Sequence, residues 1–106
     1  MKRFYLGRQA FALIGNRACN NRQEVADMRQ AAFMIGAWIE KEYGLQKIEH
    51  VKTKHLLTAT NTLAYRHKSE VEWSHLVAAA EAVARGVGKP RIAWNLSRAY
   101  IEANFS

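Results

Sequence analysis

Four histidines, His50, His55, His67 and His75, are the side chains best suited to metal binding or proton transfer. Two donors on one helix face must stand three or four residues apart. Only neighbouring acids meet that spacing here, so each imidazole reads as a surface or half-buried side chain. Glu40 and Glu42 flank Lys41 at what reads as a helix end, where carboxylates are solvated by default. Gly86-Val87-Gly88 lacks the remaining positions of a phosphate-cradling fingerprint. No serine stands in a nucleophile elbow. Cys19 is the sole cysteine; it excludes an internal disulfide, suits a reducing compartment and reads as a small packed residue. The expectation is therefore no enzyme: no catalytic residue, no metal, no cofactor and no small-molecule substrate.

Charge points elsewhere. The chain has 106 residues and a net charge of +7. Residues 1–23 hold Lys2, Arg3, Arg8, Arg17 and Arg22 and no acid. Residues 24–84 are nearly balanced, with seven basic and eight acidic side chains. Beyond them Arg85, Lys89, Arg91 and Arg98 face Glu102 alone. Basic ends around a neutral middle suit an anionic partner, because clustered cations release counterions from a phosphate backbone. They suit a solvated, solubilising face as well. The opening stretch is apolar, but Arg8, Asn16 and Arg17 interrupt it as they would not interrupt a signal peptide. No apolar run approaches a membrane span, so a cytoplasmic protein without membrane contact is expected.

Five helical segments must position these cations. Tyr5 to about Ala18 repeats apolar residues at Leu6, Ala10, Leu13 and Ile14. Asn20 and Asn21 form a polar joint and an N-cap for a long helix over about 21–43. Its stripe runs through Val25, Met28, Ala32, Ile35 and Ile39, widened by Phe33 and Ala37. The same stripe predicts that Trp38 is largely buried against the second half of the bundle. Gly44 is placed to end that helix in the left-handed region, with Leu45 packing back. After the connector "LQKIEHVKT", a third helix spans about Thr53–Arg66 with Leu56, Leu57, Thr60, Leu63 and Ala64 inward. Ser69-Glu70-Val71-Glu72 reads as a capping box opening a fourth helix. That helix carries Trp73, Leu76, Val77, Ala80 and Val83, and Gly86 and Gly88 stop it. Pro90 fits the first turn of a fifth helix with Ile92, Leu96, Ala99 and Tyr100 inward. With one proline and no repeat or linker, residues 1–106 read as a single all-α domain, a compact bundle of four to five helices.

Two quoted stretches carry a family likeness. "MRQAAFMIGAWIEKEYGLQKIEHVKTKHL" has Arg29, Phe33, Trp38 and Ile39, then Tyr43-Gly44-Leu45, a connector and Thr53. "SEVEWSHLVAAAEAVARGVGK" has Ser69, Ala78 to Ala80, Val83, Arg85, Gly88 and Lys89. From Arg22 through Ile92 this order of features resembles the core-binding (SAM-like) domain of tyrosine recombinases, the integrases of phages and integrative elements. The resemblance rests on helix-cap and core positions and covers about two thirds of the chain. It implies a SAM-like arrangement of helices that clamps double-stranded DNA. It also implies that cutting belongs to a separate catalytic domain with a His-x-x-Arg motif. That motif is absent: Thr53, Thr58, Glu70 and Ala78 stand three residues after the four histidines. The long helix and the Ser69 helix would be the contact elements. Candidate phosphate contacts are Arg22, Arg29, Lys52, Lys54, Lys68, Arg85, Lys89 and Arg91, with Ser69 at a helix N-terminus. A small mobile-element protein that binds and blocks a host protein complex, and a self-pairing structural oligomer, remain alternatives on the same residues.

Overall fold

A computed structural model describes residues 4–15, 21–67, 69–92 and 94. Within them the chain is all-α: α1 (Tyr5–Ala12), α2 (Arg22–Tyr43), α3 (Thr53–Arg66) and α4 (Trp73–Gly86), with no strand. A single 3₁₀ turn, Ile48–His50, interrupts the connector between α2 and α3. Cys19, Lys68, Leu96, Ala99 and Tyr100 lie outside the described residues.

The apolar periodicities become one core. Leu6, Ala10, Ile14, Met28, Ala32, Ile35, Ile39, Leu56, Leu63, Leu76, Ala80 and Val83 are all buried in it. Thr60 is buried too, and its hydroxyl donates to the Leu56 carbonyl at 2.7 Å, so no polar group is stranded there. The Asn21 side chain accepts from the Glu24 N–H at 2.9 Å, capping α2, and Gly44 closes that helix at φ 70°. Ile48 and Val51 anchor the connector in the core.

α1 runs antiparallel to α2, because its start meets the C-terminal half of α2 and its end meets the N-terminal half. A Cβ on Gly36 would lie 2.5 Å from the Leu6 carbonyl oxygen, so the two backbones nearly touch there. Glu40, one helical turn further on, accepts from the Leu6 N–H at 2.8 Å. It thus caps α1 instead of standing free in solvent as the sequence reading has it, and a carboxylate complements the positive N-terminal end of that helix. Gln9 ties α1 to the connector, donating to the Gln46 carbonyl at 2.8 Å and accepting from the Ile48 N–H at 3.0 Å.

Four boundaries or burials differ from the sequence reading. α1 ends at Ala12 rather than near Ala18: Leu13 and Ile14 donate back three residues, to Ala10 and Phe11, which tightens the turn and sends Ile14 into the core. α4 begins at Trp73, not Ser69. Glu70 and Val71 both donate to the His67 carbonyl, so the chain makes a turn before the helix starts. Val71 is buried just ahead of the cap residue Glu72, and Leu76, the fourth residue of the helix, is buried as well. That pair occupies the positions of a hydrophobic staple, which here outweighs the Ser69 capping box. No helix starts at Pro90: residues 89–92 are irregular, and Ile92 is drawn into the core while Trp94 donates to Glu81 at 2.7 Å. Trp38 is only half-buried, packed against the core along one side.

Candidate nucleic-acid interface

The end of α4 is built by backbone geometry. Gly88 takes φ 69°, its N–H donates to the Arg85 carbonyl at 3.2 Å, and the Lys89 N–H donates to Ala84 at 2.9 Å. This is a Schellman closure, with glycine at the left-handed position. It turns the chain sharply, so that Arg85, Lys89 and Arg91 line one cleft of about 320 Å³ with Glu81, Ala84 and Ile92. Arg85 and Arg91 are exposed and Lys89 is half-buried. Among the described residues Glu81 supplies the single carboxylate of that lining, and the Trp94 indole N–H donates to it. Trp94 in turn meets Trp73 edge-on at 5.7 Å, which holds the segment after the turn against α4.

The other candidates divide between sites. Arg29 is half-buried and structural: its Nε donates to the Ile14 carbonyl at 3.1 Å and its guanidinium lies 5.4 Å from the Phe11 ring centre. Its Nε is thus engaged in closing the end of α1. Ser69 is exposed but lies in the turn before α4, so it does not sit among the free N–H groups of a helix start. Lys68 lies outside the described residues. Arg22 is exposed at the first position of α2.

Lys52 and Lys54 are exposed where α3 begins, far from the α4 cleft. The His55 ring sits 4.5 Å from that of Tyr43, the last residue of α2. The cleft end of α4 instead packs by the close of α1, since a Cβ on Gly86 would meet the Leu13 side chain at 2.9 Å. Arg29 links that region to the N-terminal half of α2. The two cationic sites are thus separated along α2, whose 22 residues span about 33 Å.

Electrostatics around the start of α3 involve more than lysines. His55 Nδ1 accepts from the Lys52 N–H at 3.1 Å, and the His55 N–H donates to the Lys52 carbonyl at 3.0 Å. The arrangement needs a neutral imidazole. Partial burial, then the charges of Lys54 and Lys52, hold the His55 pKa below its usual value. Among the described residues, no three His, Cys, Asp or Glu side chains converge as a metal site, and no helix is long and apolar enough to cross a membrane. Comparison with family models, curated proteins and solved structures finds no match to this chain.

Arg85, Lys89 and Arg91, each a candidate from the sequence, meet in one cleft. The signal that joins them is Gly88, whose left-handed turn folds the chain back. Glu40 and Gln9 were missed as positioning residues, because their partners lie 34 and 37 or more positions away.

Proposed function

We propose that the chain is a non-catalytic module that binds double-stranded DNA through its phosphate backbone. The observation that carries this reading is the convergence of Arg85, Lys89 and Arg91 on one cleft whose lining carboxylate, Glu81, is already held by Trp94. Three cations facing a phosphate gain from counterion release, and such contacts position a duplex without reading its bases. The resemblance of residues 22–92 to an integrase core-binding domain supports the same role, with a SAM-like bundle as the clamp.

A labelled duplex titrated at two salt concentrations tests it. Affinity is expected at micromolar or weaker Kd, falling steeply as salt rises. Lys89→Glu with Arg91→Glu should weaken binding to every sequence about equally. The same pair should flatten the salt dependence by roughly one unit of log–log slope for each phosphate no longer neutralised. Unchanged affinity in the double variant, or no binding at low salt, would sink the reading.

A further inference from the structure

Along its border with α2, α1 carries rings and cations in alternation. Phe4, Arg8 and Phe11 fall at i, i+4 and i+7 on one side of the helix. Arg8 is exposed, and the two phenyl rings stand 37% and 44% exposed instead of packing inward. Gly7 leaves a notch on the same side, and the Phe33 ring of α2 fills it: a Cβ there would stand 3.0 Å from that ring. Phe33 lies 5.6 Å from Phe4, and the Arg29 guanidinium lies 5.4 Å from the centre of the Phe11 ring. Three phenyl rings and a guanidinium plane thus form one row between the two helices.

The charge of this row is local. Arg22, Ala26, Arg29, Phe33 and Ala37 follow one another along one side of α2. Among the described residues, the first carboxylate on that side is Glu40, which the Leu6 N–H holds. Glu24 and Asp27 fall on other sides of the helix, and Asp27 accepts from the Gln23 amide at 2.9 Å. α1 itself belongs to the stretch 1–23, which has bases and no acid. Exposed rings among cations suit a partner that is anionic and also offers flat faces. An acidic peptide supplies the charge without a planar face for each ring. Bases within a duplex are already stacked on one another, whereas those of a single strand can stack on a protein ring.

We propose that this row is a stacking platform for single-stranded nucleic acid. Bases lie on Phe4 and Phe11, and Arg8 and Arg22 meet the phosphates. The platform is separate from the basic cleft. Leu13, which meets Gly86 at the cleft end of α4, stands two residues on from Phe11 and so on the opposite side of α1.

Fluorescence anisotropy of the full-length chain with a labelled oligothymidylate tests it, beside an oligouridylate and a strand of equal length whose sites are abasic. The abasic strand keeps the phosphates and removes the stacking, so it should bind at least about tenfold more weakly. Tighter binding of either oligomer than of the abasic strand supports the site and tells which sugar it prefers. Phe11→Ala should weaken oligomer binding by about tenfold, and Phe11→Trp should restore it. If Phe11→Ala does not fold, Arg8→Glu changes only an exposed side chain and should weaken binding as well. Lys89→Glu with Arg91→Glu should leave oligomer affinity unchanged, so failure of the duplex reading leaves this site standing. Equal affinity for abasic and base-bearing strands would overturn the proposal. So would unchanged affinity in Phe11→Ala or Arg8→Glu, or a loss in the Lys89 and Arg91 double variant as large as that in Phe11→Ala.

Discussion

Gly36 and Glu40 stand one helical turn apart on α2, and each fixes α1 by a different means. Gly36 lets the backbone of α1 approach; Glu40 holds its first turn. Gly36→Ala places a methyl against the Leu6 carbonyl, with no flexible side chain to give way. Overpacking of that kind should cost about 1–3 kcal/mol, read as a fall in the urea unfolding midpoint. A variant as stable as the parent would mean that the helices part easily. His55 makes a pH-dependent contribution. Its folded pKa is lowered, so the unfolded chain binds the proton more readily, and stability rises with pH through the window below about 6.5. The contribution is fully present above that pH and is lost as pH falls toward the lowered value. His55→Gln should therefore lose less stability than the parent between neutral and mildly acidic buffer, measured by denaturant unfolding; an identical loss would contradict the assignment.

At the scale of elements, the two ends of α4 behave differently from each other. Ser69 is exposed in a turn and caps nothing, so Ser69→Ala should change stability by less than about 0.5 kcal/mol. Gly88 stands at the left-handed position of the Schellman closure, and Gly88→Ala should cost on the order of 1 kcal/mol. Thermal melts of the pair should separate clearly, and a larger loss at Ser69 than at Gly88 would mean that α4 starts at Ser69 after all. These ends also show what local sequence can and cannot convey. Asn21, Gly44 and the limits of α3 were legible because a cap or a period completes itself within a few residues. Ser69 satisfied the same local pattern, but Val71 gained more by entering the core ahead of the helix. The crossing at Gly36, the Glu40 cap and the Gln9 clamp were not legible, because each depends on a partner more than 25 positions distant. Trp38 misled for a related reason: its stripe neighbours are buried, yet its position at the edge of that stripe leaves it only half-buried.

Across the whole molecule, cations that the sequence left as one set fall at separated places. Arg85, Lys89 and Arg91 share a cleft, Lys52 and Lys54 begin α3, and Arg29 is committed to Ile14. If a duplex lies on the α4 cleft, Lys52→Glu with Lys54→Glu should lower its affinity far less than the Lys89 and Arg91 reversals do. Fluorescence anisotropy with one duplex at one salt concentration compares the two double variants directly. Equal losses would require a duplex that spans both sites.

The ties on α1 have a consequence in time rather than in space. Eight residues are too few to hold a helix alone in water, so α1 persists only while its tertiary anchors do. Glu40 holds its start, Gln9 its middle and Arg29 the carbonyl just past its end. When these release, no partial helix is left behind, and the segment should lift from the body as one unit. Amide hydrogen exchange would register this as a common opening free energy along α1, lower than that of the buried turns of α2.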